Sequence, residues 1–259
     1  MRPHDHRGGM RDLRVPATME NALPLKDRVI LVTGAGQGLG RACALACAAR
    51  GATVILLGRT TGKLEKVYDE IIAAGGPMPA IFPMDLEKAG DRDFDTLAEA
   101  IGYQMRRLDG VIHCASEFES PSPLGQQSIA AWQRLYKVNT LAPFAINRSC
   151  LQLLAAAPDA GVLLIGETHG HKPGAYWGGF AVSKAALETY FRIQAEEWAD
   201  AANLRLNLVV PGPINSPQRL RSHPGEDKSR LPTPADLAEY LADLMSGPER
   251  GRLVEWRPG

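Results

Sequence analysis

The chain has no excess of charge of either sign: 29 lysine and arginine residues are matched by 29 aspartate and glutamate residues. No net field draws it onto nucleic acid or anionic lipid, so a small-molecule partner is favoured. Cysteine is scarce, with Cys43, Cys47, Cys114 and Cys150 scattered through apolar segments. That scatter excludes a secreted disulfide framework and predicts reduced thiols in a cytoplasmic protein. Long hydrophobic runs are missing too, and the opening MRPHDHRGGMRDLRVPATMENALP lacks an apolar signal core. A soluble, unexported chain without membrane contact is expected. Residues 1–23 hold few apolar side chains and are expected to form a disordered tail, with His4 and His6 read as solvated rather than metal-bound.

What the chain does have is length and apolar content, 259 residues of which 45% are hydrophobic, enough to bury one substantial core. One domain over 24–259 is expected. The run RVILVT, Arg28 to Thr33, is β-branched and apolar throughout, as befits a strand covered on both faces. A glycine-rich turn, the alanine-rich RACALACAARG and a second apolar strand, TVILLG, complete one βαβ unit. The alternation continues through AIFPMD, DGVIHCA, GVLLIG, LRLNLVVPG and a short strand at Leu253–Trp256. Helices are expected around Leu64–Ala74, Phe94–Met105, Ala130–Ala156, Phe180–Ala201 and Pro234–Met245. Strands alternating with helices predict an α/β fold, a Rossmann-like doubly wound parallel sheet with helices on both faces. From Ser216 to Leu231 proline, glycine and charge dominate, which predicts a functional flap or a disordered loop.

Between the first strand and its helix lies Thr33-Gly34-Ala35-Gly36-Gln37-Gly38-Leu39-Gly40. Glycines there permit positive φ and a close approach to a pyrophosphate, which then sits at the positive end of the helix. A glycine-rich turn alone is weak support; after a buried strand and before a helix it is the required context for dinucleotide binding.

The spacing TGxxxGxG resembles that of the short-chain dehydrogenase/reductase family, and further segments follow in the family's order. Asp85, followed by Leu86, matches the acidic residue after the third strand that the family uses for the adenine amino group. His113, Cys114, Ala115 and Ser116 occupy the place of the family's NNAG, with only the alanine kept. Asn139 in KVNT matches the family's asparagine on the fourth helix, and Pro211-Gly212-Pro213-Ile214-Asn215-Ser216 resembles the PGxxxT segment beside the nicotinamide carboxamide. The resemblance runs from about Arg28 to Trp256 and implies a nicotinamide dinucleotide as cofactor. At the end of the second strand Gly58 removes the carboxylate that would hold a ribose 2′-OH, and Arg59 supplies a guanidinium for a 2′-phosphate. NADP is therefore expected in preference to NAD.

The resemblance also implies a tyrosine, a lysine four residues later, a serine about thirteen residues before the tyrosine, and the asparagine. Here the lysine is Lys184 and the asparagine Asn139, both implied to touch cofactor and chemistry, but the tyrosine position is Phe180 and the serine position falls at Glu167 or Thr168. Tyr176, His169, His171 and Glu167 lie nearby as substitutes for the missing acid, and protonation could also fall to Thr168 or water, with Tyr176 read rather as a packing aromatic beside Trp177 and the two histidines rather as loop residues. Glu167-x-His169-x-His171 would share one face if extended, yet no metal site is assigned to it, and Cys43 and Cys47 are read as small core residues. The leading expectation is an NADP(H)-dependent oxidoreductase on a carbonyl or hydroxyl. The alternative is an NADP(H)-binding sensor or partner subunit without catalysis; a cofactor-free oligomerisation module would leave the phosphate turn without purpose. The family's habit of pairing through its fourth and fifth long helices implies a homodimer or homotetramer.

Overall fold

The structure, a computed structural model, describes residues 23–257, so the expected tail, His4 and His6 included, lies outside the described residues save for Leu23. Seven strands form one sheet in the order β3-β2-β1-β4-β5-β6-β7, every neighbouring pair parallel. They are β1 Val29–Thr33, β2 Thr53–Gly58, β3 Ala80–Pro83, β4 Gly110–His113, β5 Ala160–Ile165, β6 Leu204–Pro211 and β7 Leu253–Trp256. Leu31 of β1 is in register with Ile55 of β2 and Val111 of β4, so β1 is the strand where the winding changes direction. In such a sheet the crevice at the carboxyl ends of the strands is the ligand site.

Apolar residues fill both faces of β1 because both faces are covered. Val29 and Leu31 pack with Phe94 and Leu97 of helix α3 (Asp91–Met105), while Ile30 and Val32 pack with Cys43 and Cys47 of α1 (Gly38–Ala49). These two cysteines are thus core residues, small enough to bring α1 close to the sheet, and burial pushes the Cys47 thiol up to about 12. Helix α2 spans Thr61–Ala73, beginning earlier than the apolar periodicity indicates because Thr60 supplies an extended residue ahead of it.

The single long helix expected over Ala130–Ala156 is broken. Helix α4 (Ile129–Tyr136) runs into a π-turn at Lys137–Leu141, then α5 (Ala142–Ser149) and α6 (Leu151–Ala156). Pro143 has no N–H for the carbonyl four residues back, that of Asn139, and the Ala142 N–H reaches instead to the Lys137 carbonyl. The widened turn thus falls on Asn139.

The segment Glu167–His171 is likewise not extended. Glu167 caps a short helix, α7 (Thr168–His171), and the two histidines part, His169 toward Trp177 and His171 toward Glu188. Helix α8 occupies Gly178–Glu197 and so starts two residues before, and stops four residues before, the limits expected for it. The flap is not disordered: α9 (Pro217–Ser222) and a 3₁₀ turn at Lys228–Arg230 lie within it, tied by the Arg219–Glu226 pair at 2.5 Å. Helix α10 covers Pro234–Ser246, opened by a Thr233–Asp236 capping box. No helix of the described residues is long and apolar enough to cross a membrane.

Candidate active site

A cavity of about 600 Å³ runs along the carboxyl edge of the sheet. At one end it meets the turn from Gly34 to Gly40. Gly34 has φ 67°, and a Cβ there would come within 2.9 Å of the Ala115 Cα; one on Gly40 would lie 2.2 Å from the Gly34 carbonyl oxygen. No side chain fits either place, so the backbone itself forms the wall. Gln37 precedes α1 in extended conformation without capping it, and no acidic residue occupies the first turn. The N–H groups of α1 are left without a side-chain partner beside the cavity, at the positive end of a twelve-residue helix.

The residues expected beside an adenosine are gathered along the next stretch of wall: Arg59, Asp85, Leu86, Cys114, Ala115 and Ser116 all line it. The Ala115 N–H donates to the Thr33 hydroxyl at 3.0 Å, which pins the strand end that carries the degraded NNAG segment. Arg59 is 66% exposed, with Glu117 3.8 Å away, and Lys63 joins it at the rim, donating to the Gln37 side chain at 2.6 Å. Lys63 and Glu117 carried no motif in the sequence. Pro211, Gly212, Ile214 and Ser216 line the far side, Ser216 also capping α9 by accepting from the Arg219 N–H.

At the other end Lys184 is buried, its Nζ donating to the Ile165 carbonyl at 2.9 Å. Desolvation lowers its pKa to about 8, against the opposing pull of the Glu167 carboxylate. One helical turn earlier Phe180 stands edge-on to Phe118, ring centroids 5.0 Å apart, in a small cluster with Leu135 and Trp177. Asn139 does not line the cavity. It is buried, its amide donating to the Ser183 hydroxyl and the Glu117 carbonyl, each at 3.0 Å, and its oxygen accepting from the Glu117 N–H at 2.8 Å. Ser183 in turn donates to the Phe180 carbonyl at 2.7 Å, so Asn139 ties the strand end after β4 to the helix turn holding Phe180 and Lys184.

Of the substitutes for the missing tyrosine, Thr168 lines the cavity and its hydroxyl donates to the Pro211 carbonyl at 3.4 Å. Tyr176 is 60% exposed with φ 74° and is absent from the lining, where its neighbour Trp177 stands instead. His171 pairs with Glu188 on the far side of α7. His169 lines the cavity, as does His223 from the flap, a residue that nothing in the composition of that segment singled out. Among the described residues no three His, Cys, Asp or Glu side chains are grouped to hold a metal ion.

Residues 28–226 match the short chain dehydrogenase family. The uncharacterized oxidoreductase YciK of Escherichia coli is 35% identical over 238 residues, covering 91% of this chain and 94% of the relative. Among solved structures, a short chain dehydrogenase from Pseudomonas syringae superposes with TM-score 0.87 at 36% identity, covering 91% of this chain and 96% of the other. One from Shigella flexneri, complexed with NADP, gives TM-score 0.87 at 34% identity, covering 91% and 99%.

Proposed function

The chain belongs to the short chain dehydrogenase family, and from that premise we propose that it is an NADP(H)-dependent oxidoreductase acting on a carbonyl or hydroxyl group of a small molecule. The observation that carries this reading is one continuous cavity with the uncapped amino end of α1 at one end and buried Lys184 at the other. A dinucleotide fits those residues. The glycine turn and the free N–H groups of Leu39 and Gly40 would hold the pyrophosphate, Asp85 would receive the adenine amino group, and Lys184 would hold the nicotinamide ribose. Pro211, Gly212, Ile214 and Ser216 wall the carboxamide. Arg59 and Lys63 place two cations near the adenosine ribose where Gly58 offers no carboxylate, which favours the 2′-phosphate of NADP. The similar structure solved with NADP supports NADP as a cofactor. When bound, the reduced nicotinamide supplies a hydride to the carbonyl carbon of the substrate.

The chain's own part is to orient and exclude water. Phe180 and Trp177 present an apolar floor backed by buried Phe118, and Asn139 is a positioning residue that fixes the α8 turn through Ser183. Leu141, Phe144 and Leu151 on the broken helix and Val182 and Ile193 on α8 are exposed apolar residues, and a homodimer covering them is the assembly we propose, in the cytoplasm. Light scattering at micromolar concentration tests the dimer. The function is tested by titrating NADPH against the protein's intrinsic fluorescence, then following NADPH consumption with quinones, diketones and aldehydes. Binding with turnover is the expected result. Tight binding without turnover on any of them makes the chain a dinucleotide-binding protein instead.

A further inference from the structure

Two ionisable side chains at the chemical end of the cavity are used neither by the dinucleotide cradle nor by the aromatic floor. Glu167 and His169 sit at the start of α7, where the Glu167 carboxylate accepts the His169 backbone N–H at 2.5 Å and faces its Nδ1 at 3.2 Å. The carboxylate occupies Nδ1, which leaves Nε2 as the working nitrogen; Nε2 has no hydrogen-bond partner among the described residues. Trp177 fixes the ring plane from the other side, stacked at 3.6 Å and 13°. The turn that carries the pair is pressed onto the reaction centre. A Cβ on Gly170 would lie 2.7 Å from the Lys184 Cβ, so only glycine lets α7 sit directly against the Lys184 turn of α8.

We propose that His169, oriented by Glu167, is the proton donor of this chain's carbonyl reduction, in the role left empty by phenylalanine at position 180. The proposal rests on the oxidoreductase reading above. As the carbonyl carbon takes up the hydride, the C=O electron pair moves to oxygen; the Nε2–H bond of the imidazolium breaks as the new O–H bond forms. The products are the alcohol and a neutral imidazole, which solvent reprotonates. His223, on Trp177 at 6.2 Å, is the other imidazole lining this end, but its Nδ1 meets the Ser222 hydroxyl and no carboxylate. Burial first, then Arg219, lowers its pKa. The charged and titratable groups acting on the pair are Lys184 from α8, on Glu167, and His223 from the flap, on His169, with Arg219 beside His223.

The test uses the full chain. His169→Gln should lower kcat by at least about 100-fold with NADPH affinity unchanged. His169→Phe, which keeps a ring against Trp177, should fall equally, separating proton donation from packing. Glu167→Ala is read by ¹⁵N spectroscopy of the neutral ring: in the parent the Nδ1–H tautomer should dominate, and in the variant it should give way to the usual mixture. Turnover in His169→Gln within about threefold of the parent overturns the proposal, as does an Nε2–H tautomer in the parent. A parent that binds NADPH yet reduces no carbonyl fails at the earlier step, the oxidoreductase reading, and takes the proposal with it.

Discussion

At one end of the cavity the wall is backbone, formed by Gly34, Gly40 and the amino end of α1, whereas at the other end side chains from α7, α8 and the flap meet around Phe180 and Lys184. The contrast has a physical cause. A pyrophosphate is recognised by N–H groups that every residue carries, so what must be specified is where side chains are absent. A substrate carbonyl is recognised by particular protons and apolar surfaces, and those can be exchanged one residue at a time without disturbing the sheet. The first kind of site resists change, and the second drifts.

Gly40→Val attacks the resistant end and should have the largest effect. Its Cβ would overlap the Gly34 carbonyl oxygen, so the turn must move rather than a side chain give way. NADPH affinity should fall by more than about 1000-fold, equivalent to ~4 kcal/mol, measured by fluorescence titration. A loss of less than tenfold would mean that the turn is soft and that the two ends differ less than their construction implies.

Next in size is an exchange of roles at the drifting end. In a His169→Gln background, Phe180→Tyr should recover about 100-fold in kcat, because the new hydroxyl stands one helical turn before Lys184, which sits at the same end of the cavity. The ring is already seated against Phe118, so one added oxygen disturbs little. In the parent background the same substitution should change kcat by less than about tenfold, since a donor is already present. Recovery without His169, and little gain with it, is what a site built from interchangeable side chains requires.

The same contrast decides what the amino-acid sequence alone reveals. The order of strands, both buried faces of β1 and the glycine turn follow from periodicity and from glycine placement, which are local properties. Pro143 announces a break in the long helix, yet the apolar pattern over Ala130–Ala156 runs on through it, so the π-turn at Asn139 emerges only in the fold. His169 is visible as a residue but its partners are not: Trp177 lies eight positions on, and the turn between them carries Tyr176 at positive φ. His223 comes from the flap, whose composition states only that it is polar. Burial of Asn139 beneath the cavity wall, rather than on it, is tertiary information as well.

His113 offers a way to find side-chain dependence beneath the resistant end. It closes β4 just before the segment Cys114–Ser116, is fully buried, and bonds Asn147 through Nε2 while its Nδ1 has no partner among the described residues. Desolvation lowers its pKa from 6.5 to about 4. Between those values the unfolded chain binds a proton that the folded chain refuses, so stability present above pH 6.5 is lost as pH falls toward 4. The loss from this group amounts to about 3 kcal/mol. His113→Gln should flatten that part of the pH–stability curve in urea titrations while keeping an amide for Asn147. An unchanged slope would assign the acid sensitivity elsewhere.

The smallest effect concerns the rim, where the two kinds of construction meet. Arg59 is a side chain placed by a backbone feature, the end of β2, and it is mostly exposed, so the pairing with a 2′-phosphate proposed for it should give about a tenfold preference for NADPH over NADH, ~1.4 kcal/mol. Arg59→Ala should remove most of that preference by weakening NADPH while leaving NADH affinity nearly unchanged. Glu117, 3.8 Å from the guanidinium, is also 3.8 Å from Arg134, so it is already shared, and displacing it from Arg59 costs little when phosphate arrives. Lys63, held by Gln37, should preserve a residue of the preference in the single variant and lose it in Arg59→Ala/Lys63→Ala. Half-molar salt should compress all of these differences, because exposed charges are screened within a few ångströms at that ionic strength. Equal NADPH and NADH affinities in the unaltered protein at low salt would break the assignment, and would make the end of β2 as free to drift as the substrate end.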